Sequence, residues 1–182
     1  MTVVEAQLET FVTEVVDTIE AYGPPVLGAY ILGSALLGGF DPRSSDLDLV
    51  AVIGRRLTSF ERAAVTHALD ALTPPVRKLE LVVYVAGAKP PSYELNYPDG
   101  DSEQPHWFVL DAAIAQERAT PFTGQPWEKL LEPVSAEETR RAAEELLHWA
   151  EARDDETGRT HAIRARRYLE HGQWITKKEA GA

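Results

Sequence analysis

Residues 30–53, YILGSALLGGFDPRSSDLDLVAVI, restrict the folding of this chain more than any other stretch. Two acids, Asp46 and Asp48, stand inside an otherwise apolar run, and a loop carrying Gly33, Ser34, Gly38 and Gly39 precedes them. Side chains alternate across a strand, so both carboxylates project from one face while Leu47 and Leu49 project from the other. Neighbouring carboxylates repel, and burying either is costly unless something positive lies between them. A third acid, Glu80, interrupts a second apolar run, KLELVVYV at residues 78–85. If the two strands are neighbours, Glu80 lies beside the pair. The chain has no cysteine and no paired histidines near these acids. Three such carboxylates suit a hard cation with oxygen ligands, Mg²⁺ above all.

The glycines supply the other half of a nucleotide site. Residues 26–32, VLGAYIL, read as a strand running into Gly33-Ser34 and then a short helical turn. Backbone N–H groups and a hydroxyl exposed there can bind phosphate, and Gly33 lets the backbone approach closely because no Cβ intervenes. A lone D-x-D is more often two acids turned to water, and a lone Gly-Ser is weaker still. Strand, Gly-Ser, glycine turn, D-x-D twelve residues beyond Ser34, a helix and a strand with a third acid form a far more specific combination.

Around this unit, Val4, Leu8, Phe11, Val12, Val15 and Ile19 recur at helical spacing, which predicts an amphipathic helix over 3–21. Thr58 with Glu61 is a capping-box pattern that opens a helix over 59–72. A Pro-rich polar connection, AGAKPPSYELNYPDGDSEQP, then leads to a helical remainder, either covering a site or linking to a second unit. Helices are expected over 106–118, from Ser135 and Glu138 to about 152, and over 159–171.

The formal charge of −11, from 18 Lys and Arg against 29 Asp and Glu, argues against a general grip on nucleic acid and is compatible with a cationic partner. No apolar run approaches a membrane span, and the acids within MTVVEAQLETFVTEVV are unlike a signal peptide, so no membrane partner and a cytoplasmic location are expected.

At these residues the sequence resembles the nucleotidyltransferase superfamily related to DNA polymerase β, and within it the aminoglycoside adenylyltransferases acting on streptomycin and spectinomycin. LGSALLGGFDPRSSDLDLVAVI resembles the family's signature loop and strand, and KLELVVYV the strand with its third acid. ARRYLEHGQWITKKEAGA resembles a helix and turn of its C-terminal helical domain. The resemblance implies an α+β nucleotidyltransferase fold over 1–104, with a helical part over 105–182 that completes the ATP and substrate site. It implies Asp46 and Asp48 as Mg²⁺ ligands, and Glu80 as the base that activates an acceptor hydroxyl, as a metal ligand, or both. Ser34 and Ser45 would contact the triphosphate beside Gly33, and Arg164 and Lys177 would be basic contacts to ATP. A solvated helix face and a solvated tail are the alternatives for those last two. The implied co-substrate is ATP, the cofactor Mg²⁺ and the acceptor a small cationic antibiotic.

Two departures accompany the resemblance. Family members continue with further helices where this chain stops, as in a fragment or a shortened relative. The family's streptomycin-recognising Trp and its His before the Arg-bearing helix also have no clear counterparts; Thr157 stands about where the His would be. Trp107 is expected to begin a helix as a core or interface aromatic. The acids Glu151, Asp154, Asp155 and Glu156 would either meet a polyamine drug near the cleft or form an exposed charged loop. Two rival functions stay open: transfer to a protein hydroxyl, and a non-catalytic ATP-binding module.

Overall fold

The computed structural model describes residues 3–37, 41 and 45–181; Gly38 and Gly39 of the glycine loop, and the side chain of Val4, lie outside what it describes. The chain begins with α1 (Val3–Tyr22), β1 (Val26–Ile31), α2 (Gly33–Leu37), β2 (Leu47–Ile53), α3 (Ser59–Asp70) and β3 (Leu79–Val85). It continues through β4 (Leu95–Tyr97), α4 (His106–Arg118), β5 (Thr123–Gly124), α5 (Trp127–Leu130), α6 (Ala136–Glu151), α7 (Glu156–His171) and α8 (Lys177–Ala180). The strands form one mixed sheet in the order β4-β3-β2-β1-β5. β2 and β3 run parallel, while the other pairs are antiparallel.

Alternation along β2 and β3 divides the core into two layers. Leu47, Leu49, Ala51 and Ile53, with Leu79, Leu81 and Val83, face α1 and α3, where Phe11, Val12, Val15, Ile19, Val65 and Leu69 complete the layer. Val50, Val52 and Tyr84 face the other way, against Ala112, Ala113 and Ala115 of α4 and Trp127 and Leu130 of α5. The opposite side of α4 contributes Leu110 to a third cluster with Ala142, Ala143 and Leu146 of α6 and Ala165 of α7. α4 therefore joins the sheet to the helical part. The alanines on its sheet-facing side complete the layer of Val50, Val52 and Tyr84.

Helix boundaries follow their caps. Thr58 and Ser135 form the expected capping boxes with Glu61 and Glu138. α7 begins three residues before the expected 159, because the Asp155 side chain accepts a hydrogen bond from the Gly158 N–H. β4 and β5, absent from the three-strand expectation, span only three and two residues. Segments that short show no periodicity. No described helix is long and apolar enough to cross a membrane.

Candidate active site

Asp46 and Asp48 project from the sheet face that carries Val50 and Val52, at the end of β2 where the α4 cover stops. The parallel register places Asp48 opposite Glu80, so the third acid does lie beside the pair. Gly33 completes this corner. Its φ of +59° belongs to the left-handed region, and a Cβ there would stand 1.6 Å from Asp48 Oδ2. No other residue type fits between β1 and this carboxylate.

A cleft of about 860 Å³ opens over these acids. Gly33, Ser34, Ser45, Asp46, Asp48 and Glu80 line it from the sheet side, and Arg164 and Lys177 from α7 and α8. All eight residues singled out from the sequence thus share one cavity, although they span residues 33 to 177. Arg164 is not on a solvated face. It is half-buried, its Nε donates to the Ile175 carbonyl at 2.9 Å, and its charge faces Asp111 and Asp48. Lys177 opens α8 behind the Thr176 cap and is exposed where it lines the cleft. Ser45 is held by the turn before β2, its Oγ accepting from the Asp41 N–H at 3.0 Å.

Other residues in and beside the cleft are not legible in the sequence. Arg77 pairs with Asp46 through both carboxylate oxygens, Nε to Oδ1 at 2.9 Å and Nη2 to Oδ2 at 2.5 Å. Asp111 comes from α4 and is exposed where it lines the cleft. A lone acid inside WFVLDAAIA was the available signal for it. His161 of α7 lies edge-on to Trp107, ring centroids 4.8 Å apart, and both line the cleft. Trp107 is thus the interface aromatic expected of it, and also a wall of the cavity. Lys78, beside the cleft, bridges Glu80 and Asp99 at 3.2 Å each.

The electrostatics follow from this crowding. Burial, then Asp111 and Glu80, push the Asp48 carboxyl up to about 8, against the pull of Lys177. Asp111, exposed on its cleft side, is pushed up from the ordinary carboxylate value by the protein packed around it and by Glu80, with Arg164 opposing. Burial also pulls His161 down to about 4, helped by Arg164 and Lys177, so its ring is neutral at pH 7. A neutral ring suits the 3.4 Å approach of its Nδ1 to Arg164 Nη1, where only an acceptor is useful because a guanidinium always donates.

Among the described residues no three His, Asp or Glu side chains gather closely enough to hold a metal ion alone. Asp46 is turned toward Arg77 and Glu80 toward Lys78. The donor set nevertheless fits Mg²⁺, which takes one or two carboxylates and completes its shell with water and substrate phosphates.

The acids 151–156 do not take the place by the cleft that a drug contact needs. Glu151 pairs with Arg166 at 2.6 Å, and Asp155 pairs with Arg153 while capping α7. None of the four lines the cavity. Local pairing with arginines two and fifteen residues away uses their charge. Asp99, Asp101 and Glu103, from the loop after β4, line the cleft instead.

The mixed sheet with its flanking helices is the nucleotidyltransferase fold. The overall structure is similar to a spectinomycin adenyltransferase AAD(9) from Enterococcus faecialis solved with ATP and spectinomycin, with a TM-score of 0.72 and 21% identity, covering 97% of this chain and 80% of that one. In sequence it is similar to the aminoglycoside (3'')(9) adenylyltransferases of Shigella flexneri and Escherichia coli. Both are 28% identical, and the match covers 78% of this chain and 63% and 62% of theirs. The chain therefore spans less than two thirds of the length of these curated relatives. No family profile matches it.

Proposed function

We propose that this chain transfers AMP from ATP to a hydroxyl of an aminoglycoside or aminocyclitol antibiotic of the spectinomycin and streptomycin type. One observation carries the reading: a single cleft sets Asp46, Asp48 and Glu80 on the sheet side of the Gly33-Ser34 turn and Arg164 and Lys177 across from them. That is the charge pattern a triphosphate with a divalent cation requires. The names of the similar proteins, and the ATP and spectinomycin in the AAD(9) structure, support it. We place the division between the nucleotide-binding part and the helical part at residues 104 and 105.

Ser34 and Ser45 hydroxyls hold phosphate oxygens, and Gly33 allows the backbone to approach them. Arg164 and Lys177 neutralise the triphosphate, and Arg164 is already oriented by Ile175 and His161. Asp46 and Asp48 would hold Mg²⁺, which supplies charge neutralisation across the phosphates when bound. Glu80 takes the proton from the acceptor hydroxyl as its oxygen bonds to the α-phosphorus, and the bond from that phosphorus to pyrophosphate breaks in line. Positioning and charge neutralisation supply most of the acceleration. The cleft acids Asp99, Asp101 and Glu103 suit a cationic acceptor, and the charge of −11 disfavours nucleic acid. A cytoplasmic enzyme meeting cytoplasmic ATP is the setting this reading calls for.

Incubation with Mg-ATP and either spectinomycin or streptomycin, followed by mass analysis, tests it. The expected product is a drug heavier by one AMP unit. Unmodified drugs with ATP consumed on a protein acceptor would replace this reading with protein modification.

A further inference from the structure

Arg77 holds both oxygens of Asp46, the residue read above as a metal ligand. The pairing is built into the sheet. Leu47 N–H donates to the Lys78 carbonyl at 2.9 Å, and the register continues as Leu47 with Leu79 and Asp48 with Glu80. Residues just before β3 are therefore held beside those just before β2, and the Arg77 side chain reaches Asp46 from solvent. Arg77 is 63% exposed while Asp46 is 15% exposed, so the cation can leave without unpacking anything, whereas the carboxylate stays.

Seven acids line the cleft, Asp99, Asp101 and Glu103 among them, against Arg77, Arg164, Lys177 and Lys178. A divalent cation entering alone would compete with a two-bond guanidinium for Asp46 and leave that guanidinium without a partner. A divalent cation entering with a triphosphate brings its own negative charge and gives a displaced arginine new partners.

We propose that Arg77 is the stand-in cation of Asp46: it closes the carboxylate while no metal is bound and gives it up, turning to the triphosphate, when metal and nucleotide enter together. The inference rests on reading the cleft as a Mg-ATP site. It makes Arg77 a positioning residue for Asp46 and a gate against metal binding without nucleotide.

The test compares the wild-type chain with Arg77→Gln and Arg77→Lys by calorimetry, using Mg²⁺ alone and then Mg-ATP, with thermal unfolding as the control for folding. With Mg²⁺ alone, Arg77→Gln is expected to bind about fivefold or more tightly, because the competing cation is gone. Arg77→Lys, with the charge but not the fork, is expected to fall between the two. With Mg-ATP, Arg77→Gln is expected to bind more weakly than wild type. A merely structural role would not raise affinity for the bare ion. Unchanged or weaker Mg²⁺ binding in Arg77→Gln, with wild-type Mg-ATP binding present, overturns the gate and leaves the nucleotide site standing. Absence of Mg-ATP binding to the wild-type chain overturns both. If Arg77→Gln does not fold, Arg77→Lys decides: affinity for Mg²⁺ alone no higher than wild type overturns the proposal.

Discussion

Asp48 lies among Asp46, Glu80 and Asp111 with Gly33 against its carboxylate oxygen, and its proton is held more tightly in the fold than in an unfolded chain. A carboxyl whose folded pKa is raised stabilises the protein below its unfolded value, about 3.9, and that contribution is lost as pH rises toward 8. Thermal unfolding of the metal-free protein is therefore expected to move to lower temperature between pH 5 and pH 9. Asp48→Asn should flatten that slope, be the more stable protein at pH 9, and lose Mg-ATP binding. An unchanged slope in the variant would mean that the crowding of acids costs nothing. Glu80 is tested differently, because it is half-exposed and held by Lys78 rather than crowded. Glu80→Gln is expected to keep ATP affinity and to lose transfer by about 10²-fold or more, the scale of general-base removal. Weakened nucleotide binding in the same calorimetry would make Glu80 chiefly a metal ligand.

Elements position these residues through junctions as much as through their interiors. The passage from β1 into α2 turns on Gly33. The Leu32 N–H bonds the Asp48 carbonyl at 2.8 Å, which brings the next residue directly against the Asp48 side chain. Gly33→Ala combines an unfavourable φ with a Cβ inside the space of Asp48. It is expected to cost about 1–3 kcal/mol, read by denaturant unfolding, and to weaken ATP binding by displacing Asp48. Wild-type stability and affinity in this variant would show that the junction relaxes freely. α4 works by the same logic on a larger scale. Its alanines pack on the sheet while Leu110 packs on α6 and α7, so Trp107 and Asp111 on the same helix arrive at the cleft as a consequence of that double packing.

Across the whole molecule, the acids and the Gly33-Ser34 turn were legible because local rules govern them. Alternation along β2 decides that Asp46 and Asp48 share a face, and capping boxes at Thr58 and Ser135 mark where helices start, without reference to any distant residue. β1, β2, β3 and the long helices followed from local pattern and caps, and the fold class from their order together with the resemblance. What local rules could not supply was pairing between segments far apart in the chain. Nothing in RKLE states that Arg77 closes on Asp46, because that contact exists only once β3 lies parallel to β2. Nothing in WFVLDAAIA states that Asp111 faces Asp48 and Arg164, because α4 must first be wedged between sheet and bundle. The acids 151–156 show the converse. Their charge fitted a cationic ligand or an exposed charged loop alike, and a carboxylate binds whichever cation the fold brings nearest, here Arg153, Arg159 or Arg166. The sequence by itself determined that Asp46 and Asp48 share a face, that Glu80 stands on a second apolar strand and that Gly33-Ser34 follows the first, since side-chain chemistry and backbone period are local properties. Only the tertiary structure decided which charges neutralise one another, because electrostatic pairing depends on distance in space and on burial, and both arise from packing the layers together.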